Sequence, residues 1–213
     1  MSLTYNPTVF DVNDIPQAMS IILTPEGVTT QQRWEVETPY LADLIQHQFR
    51  LGPESLVLDF GCGIGRVSRE LILRHGCRVV GVDISQNMRA LSVIYARSDR
   101  FMSCSPEMLD GIVARGTRFD AALSVWVLQH CKDPAKEIGR VRAALNPGAP
   151  LFVVNSVHRS VPTLEKSWIN DGLDIKAMLA AEFDQAEEGR LAPERTTETL
   201  AANCYWATFR QRG

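Results

Sequence analysis

The sequence predicts an α/β fold: a parallel sheet covered by helices on both faces. Two features between residues 56 and 155 carry this expectation. Short apolar runs alternate with segments of helical periodicity, and the apolar runs are unbroken, without a polar residue at every second place. Strands in βαβ succession are buried on both faces and have this pattern. The chain's size agrees, since 213 residues suffice for one domain that buries roughly 70% of its unfolded surface. With 45% hydrophobic and 22% charged residues, the composition fits a globular protein and excludes disordered, collagenous and fibrous classes.

The first 50 residues carry Pro7, Pro16, Pro25 and Pro39 and show no strand rhythm. They are expected to form a helical cap of loop and short helices outside the sheet. One short helix starts at Thr29 or Thr30 and carries Arg33, Trp34 and Val36. The clearest helix takes Thr38 as N-cap and Pro39 at its first position, sets Leu41, Leu44, Ile45 and Phe49 on one face, and stops at Gly52-Pro53. Residues 51–213 form the main domain.

Its strands are LVLDF (56–60), RVVGVD (78–83), RFMSC (100–104), FDAALSV (119–125) and PLFVVNS (150–156). Helices are expected from Gly65 to His75, Gln86 to Arg97 and Pro134 to Leu145. The last has Asp133 as N-cap and an Asn146-Pro147-Gly148 stop. Beyond Asn155, Ile175, Met178 and Leu179 suggest one more helix and Cys204 to Phe209 one more strand. The span 165–200 holds nine acidic against four basic side chains and reads as a solvated surface.

A net charge of −3 gives no field to gather phosphate backbones, so nucleic acid is a disfavoured partner. Five cysteines without CxxC spacing (Cys62, Cys77, Cys104, Cys131, Cys204) argue against a disulfide framework or zinc knuckle and suit a reducing cytoplasm. No metal-ligand cluster is visible. No apolar run approaches the roughly 20 residues of a membrane helix, and no signal-peptide pattern is present. Ser2 and Leu3 are compatible with a cloning scar.

Chemistry concentrates in VLDFGCGIGR (57–66), where a buried strand runs into Gly61, Gly63 and Gly65 and then a helix. Glycines there let backbone approach a ligand, and amides at the helix start donate to an anion. The spacing is GxGxG, not the GxGxxG of dinucleotide sites, and Asp59 puts a carboxylate where a pyrophosphate would lie. A ligand with a cationic group is favoured. Asp83 ends the next strand, where an acidic side chain accepts both hydroxyls of a ribose; its other reading is a cap for the following helix, a task open to Ser85.

With these motifs the chain resembles the class I S-adenosylmethionine-dependent methyltransferases over about residues 40–155. VLDFGCGIGR looks like their first motif, VVGVDIS like the acidic ribose motif, RFDAALSVWVLQHCKDP (118–134) like the fourth-strand segment and LNPGAPLFVV (145–154) like the turn into the fifth strand. The resemblance implies a Rossmann-like, doubly wound, seven-stranded sheet, mostly parallel with an antiparallel last strand. It also implies roles. Gly61, Cys62 and Gly63 line the methionine part, with Asp59 near its ammonium, Gly65 counts among the cofactor-binding residues, and Asp83 holds the ribose. Ile84 and Met88 pack on adenine, and Ser105, Pro106, Glu107 and Met108 border its edge. Val125, Trp126 and Gln129 lie under the sulfonium. At Ser105-Pro106 the chain departs from the family, because Pro106 has no amide to donate; Glu107 or the Met108 amide is the substitute. Cys62 reads as a small buried residue.

Arg33 and Trp34 are expected to form a lid with Tyr40, or else to pack as a cap helix. His130 is the candidate general base, its alternative being a histidine that satisfies loop backbone beside Asp133. His158 faces either substrate or solvent. The expected activity is in-line transfer of a methyl group from S-adenosylmethionine to an oxygen, nitrogen or carbon of a small molecule, by a monomer or homodimer. A non-catalytic binding or scaffold protein on the same fold, and a nucleic-acid methyltransferase, are the alternatives. A nicotinamide reductase is disfavoured by the glycine spacing and the lack of a Tyr-x-x-x-Lys pair.

Overall fold

A computed structural model describes residues 3–21 and 29–212; Ser2 and Pro25 lie outside them. Five strands, β1 (Leu56–Phe60), β2 (Arg78–Val82), β3 (Phe101–Cys104), β4 (Ala121–Val125) and β5 (Pro150–Ser156), run parallel. A hairpin, β6 (Val161–Pro162) and β7 (Trp168–Ile169), stands apart from them. Strands β8 (Phe183–Arg190) and β9 (Cys204–Gln211) complete a seven-stranded sheet of order β3-β2-β1-β4-β5-β9-β8. Strand β9 is antiparallel to both neighbours, as the sequence led one to expect of Cys204 to Phe209.

The chain enters at the middle of the five parallel strands, so β1 pairs with β2 on one side and β4 on the other: Leu58 faces Val80 and Ala122. Connections leave β1 and β4 in opposite directions, which opens a crevice at their carboxyl ends. Successive residues of one strand feed opposite faces. Val57 and Phe152 pack under α3 (Thr38–Gln48) and α4 (Arg66–His75), while Leu58 and Val153 pack under α6 (Pro106–Ala114), α7 (Pro134–Ala144) and α8 (Ile175–Glu182). With both faces covered, every position must be apolar, hence the unbroken runs. Helix α5 (Gln86–Ala96) joins β2 to β3, and α9 (Glu198–Asn203) precedes β9.

Two smaller helices belong to the N-terminal region: α1 (Ile15–Ser20) and α2 (Thr30–Gln32). Helix α2 starts at Thr30 as expected, but it runs through a π turn, Arg33–Glu37, straight into α3. Thr38 is therefore inside a continuous helix and not an N-cap. Leu41, Ile45 and Phe49 are buried against the sheet.

Three elements depart from expectation. Helix α6, where no helix was expected, follows a Ser105 cap and Pro106 at its first position, a local start signal. The acidic span 165–200 contains β8, which is solvated as expected yet paired with β9 along its length. An edge strand carries charge because charge blocks pairing with other chains. Hairpin β6–β7 is too short for periodicity to show. The caps at Ser85, which accepts the Met88 amide at 3.2 Å, and at Asp133, which accepts the Lys136 amide at 3.0 Å, are as expected.

Candidate functional site

A cavity of about 920 Å³ opens at the carboxyl ends of the parallel strands. Its floor is the glycine turn after β1. Gly61 has φ +82°, and a Cβ there would lie 2.1 Å from Val127 Cγ2, so any side chain collides with the β4 loop. The amides of Gly61 and Cys62 both donate to Val82 O, at 2.7 and 2.9 Å. The Gly63 amide donates to Asp83 Oδ2 at 2.9 Å, while open space lies where its Cβ would project. This fastens the turn to the end of β2. Gly65 does not line the cavity: at φ +81° it starts α4 and packs against Phe101. Its role in the ligand-free fold is to shape the turn. Cys62 is buried with its thiol on Gly63 O, and burial raises its pKa well above the ordinary value, consistent with a small buried residue.

Two carboxylates share this wall. Asp83 accepts amides from Gly63 and Ser85, one on each oxygen, so each oxygen keeps a lone pair for a ligand hydroxyl. Ser85 serves as the helix cap, so Asp83 is not needed for it. Asp59 is buried and accepts from Ser68 Oγ at 2.6 Å. Burial lifts its pKa to about 6, and the charge of Asp83 adds to the rise. Burial also raises Asp83. A cation placed here relieves both groups, whereas a pyrophosphate adds to the repulsion.

Ile84, Met88 and Pro106 line the cavity beyond Asp83. Ser105, Glu107 and Met108 do not. Ser105 Oγ takes the Met108 amide at 3.2 Å, and Glu107 is held below the ordinary carboxyl pKa by its own amide and by Ser105. All three take part in starting α6, away from the cavity lining.

Val125, Trp126 and Gln129 line the cavity after β4, together with Arg33 and Trp34 from the N-terminal helix. Sequence reasoning missed what joins them. Glu37, 1% exposed, accepts Arg33 Nε and Nη2 at 2.8 and 2.6 Å, Arg66 Nη2 at 3.0 Å and Trp126 Nε1 at 3.3 Å. Burial pushes this carboxyl upward, but the two guanidiniums prevail and hold it low. The Arg33-x-x-x-Glu37 spacing was the available signal. Trp34 stands edge-on to Tyr95 at 5.3 Å with Arg66 over its ring. Tyr40 instead accepts the Ala192 amide, a packing role.

His130 lines the cavity with its imidazole tied at both nitrogens. Nδ1 lies 2.6 Å from Ser160 O, so it carries the proton, and Nε2 accepts from Gln129 Nε2 at 3.0 Å. Burial lowers its pKa, so the ring is neutral at pH 7. The backbone it satisfies is Ser160, not the Asp133 region. His158 is exposed on the loop after β5 and is not among the lining residues. Tyr5, Phe10 and Trp168 close the far end of the cavity, from segments where sequence offered no motif.

A family model described as a methyltransferase domain matches residues 33–194. A ubiquinone biosynthesis O-methyltransferase of Methylobacterium sp. (strain 4-46) is 33% identical over 116 residues, 52% of this chain and 46% of that enzyme. The chain thus spans about half the length of the curated relatives it matches. In fold it is similar to the N-methyltransferase NodS of Bradyrhizobium japonicum WM9 in complex with S-adenosylhomocysteine, at TM-score 0.62 and 16% identity over 83% of this chain and 86% of that one. It is also similar to geranyl diphosphate C-methyltransferase of Streptomyces coelicolor A3(2), at TM-score 0.65 and 14% identity over 88% and 86%.

Proposed function

The chain belongs to the methyltransferase-domain family, and from that premise we propose that it transfers a methyl group from S-adenosylmethionine to a small molecule. The observation that carries the reading is the glycine turn fastened by its Gly63 amide to Asp83, with the buried Asp59 beside it. When bound, S-adenosylmethionine supplies an electrophilic methyl group on a sulfonium. Asp83 holds the ribose hydroxyls, and Asp59 with Gly61, Cys62 and Gly63 faces the methionine part and its ammonium. Ile84, Met88 and Pro106 pack the adenine. Val125, Trp126 and Gln129 border the sulfonium, and Arg33 and Trp34 cover it as a lid.

For in-line displacement the protein must align the acceptor and exclude water. The Glu37 hub serves alignment, because one carboxylate joins the lid, the helix after the glycine turn and the β4 loop. A base is needed only where the acceptor keeps its proton. His130 is neutral and holds its Nε2 lone pair toward Gln129, so it takes a proton once that amide swings aside. The O-, N- and C-methyltransferases among the similar proteins leave the accepting atom open.

The net charge of −3 supports a small acceptor over nucleic acid. Among the described residues no helix is long and apolar enough to cross a membrane. The five cysteines are free thiols, which supports a cytoplasmic setting. We take residues 1–50 as the cap on a domain of residues 51–213, acting as a monomer or homodimer. The test is incubation with S-adenosylmethionine labelled in its methyl group and the small-molecule fraction of a cell extract. Label is expected in low-molecular-weight compounds with stoichiometric S-adenosylhomocysteine; transfer to RNA alone, or no turnover, contradicts the proposal.

A further inference from the structure

The far end of the cavity has a chemistry of its own. The rings of Phe10, His130 and Trp168 stand 5.3 to 6.3 Å apart, tilted around the opening. Trp168 is 48% exposed and Phe10 half-buried. Aromatic faces left open in a cavity wall are surface for a ligand to cover.

These walls are fixed in place. Tyr5 bridges Thr163, the Asn6 amide donates to Pro162 O at 3.0 Å and the Leu164 amide to Thr4 O at 2.9 Å. The N-terminal segment is thereby joined to hairpin β6–β7. Buried Arg159 donates to Leu128 O and Cys131 O and pairs with Asp171, which fastens the arm after β5 to the β4 loop.

The rim beside these rings carries Lys132 and Lys136, two of the chain's four lysines. Both are exposed, and neither forms an ion pair among the described residues. The nearest carboxylates are engaged: Asp133 caps α7, and Glu137 pairs with Arg140, which also holds Asp110. Asp59 and Asp83 belong to the glycine-turn wall, and the charge of Asp83 reaches Tyr5.

Building on the methyltransferase reading, we infer that the acceptor is an aromatic acid, its ring against Phe10 and Trp168 and its anionic group at Lys132 and Lys136. A chamber walled by aromatic rings selects a flat body, and two exposed ammoniums at its edge, neither in a salt bridge among the described residues although Lys136 also acts on Asp110, select the sign of the substituent.

The test is calorimetric titration of the S-adenosylhomocysteine-saturated protein with 2-naphthoate, its neutral isostere 2-naphthamide and cationic 2-naphthylmethylammonium. Naphthoate is expected to bind about ten-fold tighter than the amide, with a preference that shrinks as salt is raised. A Lys132→Ala, Lys136→Ala double variant loses the preference but retains amide binding, while Trp168→Ala weakens both ligands. Equal or reversed affinities, no binding of any of the three, or an inert Trp168→Ala overturn the inference. The two readings fail separately: absence of S-adenosylhomocysteine binding strikes the cofactor site, whereas normal S-adenosylhomocysteine binding without a naphthoate preference strikes the aromatic chamber.

Discussion

The cavity's two ends are built from different materials. The glycine-turn end is made of backbone and buried polar groups: amides on Val82 O and Asp83, a buried Asp59 and glycines at positive φ. The aromatic end is made of side chains from segments around residues 5–10, 130–136 and 168. Groups of the first kind sit in the sheet's own hydrogen-bond scheme, so they are coupled to folding. Those of the second kind line a surface and are coupled mainly to what binds there. Damage to the glycine-turn end should therefore register as stability and cofactor affinity, and damage to the aromatic end as selectivity.

The strongest way to break this contrast is at its seam. Glu37→Ala leaves the Arg33 and Arg66 guanidiniums buried without their shared carboxylate. It should cost about 3–5 kcal/mol in denaturant unfolding. Wild-type stability in this variant would mean that the hub is dispensable and that the lid is not anchored through it.

A smaller effect, of opposite sign, sharpens the contrast. Asp59 titrates at about 6 in the fold against an ordinary 3.8, with burial as the main cause. The folded state therefore holds a proton that the unfolded chain has lost between those values, and this group's contribution to stability falls as pH rises through that window. Asp59→Asn removes the effect. The variant should match wild type near pH 4 and exceed it by about 1–3 kcal/mol at pH 7, while binding S-adenosylhomocysteine more weakly. Equal stability at both pH values would show that Asp59 is not strained in the ligand-free protein.

The same contrast explains what could be read from the sequence. Gly61, Gly63, Asp59 and Asp83 were legible because strand, turn and strand-end carboxylate are local patterns whose geometry follows from backbone rules. The strands β1 to β5 were legible because burial on both faces leaves unbroken apolar runs. Glu37 was missed although Arg33 stands four residues before it, since an i,i+4 pair on a helix is ordinarily a solvated one. Gly65, Ser105, Glu107 and Met108 shape a turn and a helix start away from the cavity lining, and where the cavity ends is not written in a local pattern. Phe10 and Trp168 had no signature, because their meeting depends on the β6–β7 hairpin folding back onto the N-terminal segment.

The central claim, an adenosyl site held by Asp83 on the glycine turn, is tested most directly by calorimetric titration of wild type and Asp83→Ala with S-adenosylhomocysteine and NADH. Wild type should bind S-adenosylhomocysteine in about the micromolar range and NADH not at all. Loss of the bonds from the ribose to a charged acceptor should weaken the variant about a hundred-fold. Unchanged affinity in Asp83→Ala, or binding of NADH in place of the adenosyl ligand, would contradict it.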